Sequence, residues 1–370
     1  MQIKKVVLFS DLHLDSTFAW MSGTPKAARS RRQALRETLL KIIETTISTK
    51  ADALLCGGDL YEQDRFTPDT AAFLKSAFER INPIPVFITP GNHDWYNTQS
   101  LYHTTKWSSN VTIFNKDCLT PIELEDGLTL WGAAHLAPAS TLGFLDRFKV
   151  NSGGIHLALF HGSERGWFSE QGDGKAPHAP FDANQIVTSG ISHAFLGHYH
   201  RPRDNAWFTY PGNPDPLSFG EDGLRGVVIA SIREDGIIQS QRISVKVTEV
   251  HDIVVDITGC ENQHDIGNRV RDKVEDIRGI ARVTLCGELA PAIDIQTHDF
   301  LSLPTNLESL TVEMGKMYVG YDLEKIKNEP TVRGEFVHQV SMSDIPEDEK
   351  RKVIITGLRA LDGRTDLEVM

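Results

Sequence analysis

With 370 residues, 40% of them hydrophobic and 24% charged, the chain exceeds what one core usually supports and has the make-up of a soluble globular protein. No apolar run approaches the roughly 20 residues a membrane span needs, so no transmembrane segment is expected. Net charge −12 excludes a surface that is basic throughout, and any nucleic-acid footprint has to be a local patch.

The first residues hold a short apolar run, Val6 to Phe9, ended by Asp11 without a small-residue cleavage site, so it reads as a first strand and the protein as cytoplasmic. Cys56, Cys118, Cys260 and Cys286 are scattered with no C-x-x-C pair, which argues against a disulfide framework or a zinc knuckle. Past the first strand, Asp11 and His13 are two apart. In extended backbone that spacing puts both side chains on one side, as half of a metal site or as a simple Asp turn.

Lys26 to Arg32 then leads into a helix with apolar Leu35, Leu39, Ile42 and Ile43. Basic residues at a helix start oppose the macrodipole. Arg29, Arg31 and Arg32 therefore hint at an anionic partner, with a solvated basic face as the alternative. Ala53 to Cys56 is the second strand, and Gly57-Gly58-Asp59-Leu60-Tyr61-Glu62 follows, two glycines allowing close backbone approach before a carboxylate. A helix over about 70–80 returns to a third strand, Val86 to Ile88, which Pro90-Gly91 stops ahead of Asn92-His93-Asp94. The first ninety residues thus read as βαβαβ with a parallel sheet.

From Val111 to Trp131 short alternating runs predict an antiparallel portion, with Glu125-Asp126-Gly127 as a hairpin turn. His156 to Phe160 and Ala194 to Leu196 are further buried strands, ending in His161-Gly162 and Gly197-His198-Tyr199-His200. The Gly- and Pro-rich segment from Glu164 to Ala179 is expected as a long loop beside the site. Arg201 and Arg203 follow the last histidine. Three parts are expected in all: a domain over 1–245, a small α+β domain over 246–330, and a segment over 331–370. In that last segment Ser343 or Asp344 caps one helix that carries Ile354, Leu358 and Leu361 as a stripe.

D-x-H, G-G-D, G-N-H-D, H-G and G-H-x-H thus occur in order, each after a strand. The pattern resembles the calcineurin-like metallophosphoesterase superfamily over roughly residues 1 to 245. The resemblance implies an α/β sandwich of two mixed sheets flanked by helices, with two divalent metal ions at the strand ends. Carried over by motif position, Asp11, His13, Asp59 and His200 would hold one ion, and Asp59, Asn92, His161 and His198 the other. Oxygen and nitrogen donors without thiolate favour Mn²⁺, with Fe or Mg²⁺ as alternatives. His93 would serve as proton donor with Asp94 orienting it.

Within the superfamily, Asp11-Leu12-His13-Leu14-Asp15, Tyr210-Pro211-Gly212-Asn213-Pro214 and Leu217-Ser218-Phe219-Gly220-Glu221 resemble the nuclease subunit of SbcCD-type DNA repair complexes, although Asn213 stands where Ser is common. That resemblance implies a small capping domain, DNA as substrate for an exonuclease or endonuclease, and a coiled-coil ATPase partner bound by the C-terminal segment. A homodimer stays open. The chain has no G-x-x-x-x-G-K-[ST] phosphate loop of its own. A small-nucleotide phosphodiesterase and a non-catalytic DNA-binding subunit are the alternatives, with Arg29, Arg31, Arg32, Arg201 and Arg203 as the candidate DNA contacts.

Overall fold

The computed structural model describes residues 5–18, 25–139, 141–170, 177–290, 293, 295–296, 300, 303 and 305–363. They divide into one unit reaching Glu249 and a second from Val250 onward. The first unit runs β1 (Lys5–Phe9), α1 (Pro25–Ser48), β2 (Ala53–Cys56), α2 (Pro68–Glu79), β3 (Val86–Ile88), α3 (Leu101–Thr104), β4 (Val111–Ile113), β5 (Thr120–Glu125), β6 (Leu128–Gly132), β7 (Ile155–His161), α4 (Ala183–Thr188), β8 (His193–Gly197), β9 (Arg203–Asp204), β10 (Phe208–Tyr210), β11 (Gly226–Ile232) and β12 (Ile238–Ser244).

Two six-stranded mixed sheets result, in the orders β12-β11-β1-β2-β3-β4 and β5-β6-β7-β8-β10-β9. The first four strands of the chain are parallel, as βαβ connections require, while β11 joins β1 antiparallel. Alternation along each strand divides its side chains between two faces. Val6, Leu8, Ala53, Leu55 and Phe87 of the first sheet share one buried cluster with Leu128, Leu130, Leu157, Leu159 and Phe195 of the second. Alternate residues Val7, Phe9, Leu54 and Cys56 are also buried. The strands are therefore covered on both faces, which explains their unbroken apolar runs. The opposite face of the second sheet packs Ala158, Phe160, Ala194 and Leu196 with Phe144, Phe181 and Ile186. The architecture is a two-sheet α/β sandwich flanked by helices.

Two local expectations need correction. Val111–Ile113 does not open the antiparallel portion but extends the first sheet parallel to β3; the hairpin is β5–β6 alone, and β6, β7 and β8 are parallel to one another. Part of the expected loop over 164–179 is a 3-10 helix, Arg165–Glu170, while 171–176 lie outside the described residues.

The second unit has β13 (Val250–Asp256), α5 (Gln263–Val274), β14 (Gly279–Leu289) and β15 (Leu307–Val319), then α6 (Leu323–Lys327), α7 (Val332–Ser341) and α8 (Glu347–Leu361). Its three strands are all parallel, β13 and β14 being the arms of a βαβ unit through α5. The terminal segment holds two helices over its described residues rather than one. Neither Ser343 nor Asp344 caps α8: Pro346 stands at its start with no side-chain cap, and Ser343 Oγ instead donates to the Val340 carbonyl at the end of α7. Ile354 and Leu358 of the expected stripe are buried with Ile326 of α6 and Val337 of α7, whereas Leu361 is exposed.

Candidate metal centre

The carboxyl ends of β1, β2 and β3 in one sheet, and of β7 and β8 in the other, carry the candidate ligands to one place, the edge where ligands collect in α/β sheets. This convergence costs the chain relaxed backbone conformation. Asp11, His13, Asp59 and His198 have φ of 54°, 51°, 51° and 113°, the left-handed region that non-glycine residues avoid. Such strain persists only where surroundings impose it, and it concentrates at functional sites. Here the turns are laced together: Asp11 N–H donates to the Gly58 carbonyl and His13 N–H to the Asp59 carbonyl, both at 2.9 Å. Gly91 is needed for closeness instead, since a Cβ there would overlap Asp59 Oδ1.

Five of the seven expected ligands, His13, Asp59, Asn92, His198 and His200, line a single cleft, and the buried Asp11 and His161 stand against them. Donor atoms of Asp11, His13 and His200 fall within 4.8 Å of one another, as do those of Asp11, Asp59 and His161. His161 Nε2 stands 3.1 Å from Asn92 Oδ1, 3.3 Å from Asp59 Oδ2 and 3.3 Å from His198 Nδ1. His161 Nδ1 donates to the Gly57 carbonyl at 2.9 Å, so in a neutral ring Nε2 is an acceptor set against the acceptor Oδ2 of Asp59. A proton or a cation between them reconciles that pair. Burial lowers the His161 pKa, but Asp59 and Asp11 outweigh it and raise it to about 9, so the protein alone resolves the conflict with a proton. Burial opposes ionisation of Asp59 too, and His161, His13 and His93 nevertheless hold it well below the usual carboxylate range.

A second observation concerns His13. Its buried Nε2 has no hydrogen-bond partner and sits 3.7 Å from Asp59 Oδ2, while its Nδ1 donates to Glu62 Oε1 at 2.8 Å. His200 repeats the arrangement, with Nδ1 on Glu221 Oε1 at 2.8 Å. Metal-ligating histidines are oriented in this way by a partner on the other nitrogen. The donor set, with its orphaned imidazole nitrogen and shared carboxylate, fits divalent cations of oxygen and nitrogen preference.

His93 is exposed at the cleft, and Glu62 Oε2 accepts from its Nδ1 at 3.1 Å. Burial lowers its pKa, yet the Glu62 hydrogen bond and the Asp59 charge raise it to about 9. The expectation that Asp94 orients His93 is not met. Asp94 is fully buried and accepts the backbone N–H groups of Asp59, Leu60 and Gly91 and the hydroxyl of Tyr102, so it fixes the turns and Glu62 takes the orienting part. Sequence reading missed Glu62 and Glu221. Both stand in the motifs named above, three residues after Asp59 and at the end of L-S-F-G-E, without a role assigned to them. His178, also passed over, lines the cleft with its ring 5.6 Å from that of His198.

The basic candidates separate. Arg201 and Arg203 line the cleft, and Arg29 is exposed on α1 with Arg32 half-buried. Arg31 is corrected: it is fully buried, pairing with Asp215 Oδ2 at 3.0 Å and donating to Thr248 and the Pro216 carbonyl, so no phosphate can reach it. Among the described residues no helix is long and apolar enough to cross a membrane.

Known proteins resemble the chain at low identity. A metallophosphoesterase of Bacillus subtilis, YhaO, described as uncharacterized, is 25% identical over 288 residues, covering 73% of this chain and 67% of that one. The DNA double-strand break repair protein Mre11 of Methanopyrus kandleri is 23% identical over 278 residues, covering 66% of this chain but only 58% of that protein. Among solved structures, a purple acid phosphatase from yellow lupin (Lupinus luteus) seeds matches at 13% identity over 65% of this chain and 51% of that chain, with a TM-score of 0.37. The profile of calcineurin-like phosphoesterases matches residues 4–202, more than half of the sequence and the whole span from Asp11 to His200, and the chain belongs to that family of hydrolases, which typically bind two divalent metal ions.

Proposed function

We propose that this chain is a metal-dependent DNA nuclease, with manganese as its working ion, that acts in DNA repair or processing beside a coiled-coil ATPase. The observation that carries the reading is the cleft itself. It has a volume of about 740 Å³, and it places the metal-type cluster and His93 within the same cavity as Arg201 and Arg203. Two bound cations would supply Lewis-acid polarisation of a phosphodiester and a water acidic enough to attack it near neutral pH. The side chains divide the remaining work. His93, its Nδ1 held by Glu62, has its other nitrogen for the leaving oxygen, to which it gives a proton. Arg203 lies over the Trp167 ring at 4.3 Å, a placement that keeps a planar guanidinium ready for phosphate oxygens.

Similarity to a DNA double-strand break repair protein supports a polymeric substrate. Arg29, Arg32, Arg201 and Arg203 are the proposed phosphate contacts, each adding to a salt-dependent affinity. For the ATPase, α7, its C-cap and α8 offer Val332, Met342, Val353 and Leu361, which are exposed, once Ile354 and Leu358 are taken up by the internal core. Deletion after Arg333 is expected to abolish ATPase binding while Mn²⁺-dependent hydrolysis survives; undiminished co-purification with the ATPase would refute the docking assignment. The nuclease reading itself is tested by incubating the purified chain with Mn²⁺ and linear duplex DNA, single-stranded DNA or bis-p-nitrophenyl phosphate. Cleavage of DNA that EDTA abolishes is expected. Hydrolysis of the small diester with all DNA left intact would replace the reading by a small-nucleotide phosphodiesterase.

A further inference from the structure

Phe219 is a partly buried aromatic residue in a cleft otherwise lined chiefly by His, Asp, Glu, Asn and Arg. The metal cluster makes no use of its ring. What holds it there is Glu221, whose Oε2 accepts the Leu217 N–H at 2.7 Å, the Ser218 N–H at 3.3 Å and the Asn213 side-chain amide at 2.6 Å, while its Oε1 accepts from the ligand His200. One carboxylate therefore both orients a metal ligand and closes the turn that carries Phe219. Gly220, at φ 82°, lets the backbone reverse directly after the aromatic residue. The turn that carries Phe219 is thereby tied to a ligand of the reacting centre.

We propose that Phe219 is a stacking platform for the nucleobase next to the scissile phosphate, making it the residue by which the cleft selects esters that carry a base. The inference rests on the nucleotide-ester reading above and names the recognition element of that same site. Cations and Arg201 and Arg203 suit a phosphate of any kind, but a ring face adds affinity only for a substrate with a ring of its own. Sugar phosphates and phosphorylated serine lack one. Base–aromatic stacking tolerates every base, so the selection is for nucleotides as a class and not for sequence.

The test compares the full-length wild type with Phe219→Ala, Phe219→Leu and Phe219→Tyr on two substrate pairs in Mn²⁺. One pair is an oligonucleotide and its counterpart with an abasic residue at the cleavage position; the other is thymidine 5′-(p-nitrophenyl phosphate) and methyl p-nitrophenyl phosphate. Phe219→Ala is expected to shrink the wild-type preference for the base-bearing member by about tenfold to a hundredfold, the loss falling in KM, with Phe219→Tyr restoring it and Phe219→Leu not. Anisotropy with a labelled oligonucleotide in EDTA is expected to show the same order of affinities without turnover. Equal losses on both members of a pair, or a loss confined to kcat, would overturn the proposal. A wild type that cleaves no oligonucleotide would sink the nuclease reading alone, and the thymidine pair then decides the platform by the same comparison. Thermal unfolding of each variant identifies any that fails to fold, and Phe219→Leu, which keeps bulk without a ring, decides the question by the same comparison if Phe219→Ala does not fold.

Discussion

Replacing Arg31 by Ala should damage the fold and not a nucleic-acid surface. The Arg31 guanidinium donates to Asp215, Thr248 and the Pro216 carbonyl, and it lies over the Phe18 ring at 5.0 Å. Asp215 is itself fully buried, its other oxygen accepting the Val247 and Thr248 N–H groups at 2.6 and 2.9 Å. Truncation at Arg31 thus leaves a carboxylate without its counter-ion in the interior. Breaking a buried pair from one side costs about 3–5 kcal/mol. In a domain of this size, where each kcal/mol is worth about 2–4 °C, the unfolding midpoint should fall on the order of 10 °C. Arg31→Lys should recover only part, because an ammonium cannot reproduce the planar fork. Calorimetry of the full chain gives the midpoint, and DNA titrations at several salt concentrations, well below that temperature, give the binding. An unchanged midpoint together with weakened DNA binding would refute the burial argument and return Arg31 to the surface patch. Charge reversal at Arg29 and Arg32 should do the opposite, leaving the midpoint alone and flattening the salt dependence.

Asp59→Ala should strip metal from the chain, since its carboxylate lies beside both ligand groups, whereas His93→Ala should keep metal and lose turnover; elemental analysis showing equal loss in both would contradict the division between ligand and proton donor. Gly91→Ala should weaken metal affinity measured by calorimetric titration, because its Cβ would displace Asp59 Oδ1, and wild-type affinity would mean that the turn yields freely. His193 gives a pH dependence remote from the cluster: burial, partly opposed by a hydrogen bond to the Ala206 backbone, lowers it to about 4 from 6.5. The unfolded chain therefore takes up the proton first, so stability is whole above pH 6.5 and declines towards pH 4 by about 3 kcal/mol. Urea titrations between those limits should show this slope in the wild type and lose it in His193→Asn, and equal slopes would remove His193 as the cause.

How much of the fold could be read from the chain depended on how local its causes were. Val6 to Phe9 and Ala53 to Cys56 announce themselves as strands because both faces are covered, so no polar residue interrupts them. Direction and partnership are different matters. That β4 joins β3, and that β13, β14 and β15 all run parallel, is decided by pairing between segments far apart in sequence. Helix α7 escaped notice for a local reason. Its sequence, Val-Arg-Gly-Glu-Phe-Val-His-Gln-Val-Ser, mixes β-branched residues with a glycine, all poor helix formers. Gly334 is there because a Cβ would overlap the Glu329 carbonyl where the preceding turn passes close by, a requirement visible only after folding.

The site divides along the same line. Its candidate ligands follow strand ends in short motifs and were legible; what orients them was not. In three of the histidines the Nδ1 is engaged by a group distant in sequence: Glu62 for His13, the Gly57 carbonyl for His161 and Glu221 for His200. Each engagement leaves Nε2 for the cluster, which is how an imidazole is held ready for a cation. Glu62 does more, since its second oxygen accepts from His93 while its first accepts from His13. Held ionised, with its pKa down at about 2 because the two histidine hydrogen bonds outweigh its burial, it joins a ligand to the proton donor through one side chain. A shift of Glu62 therefore moves both histidines together, whereas truncation of His93 leaves the Glu62–His13 bond, and with it that ligand, in place.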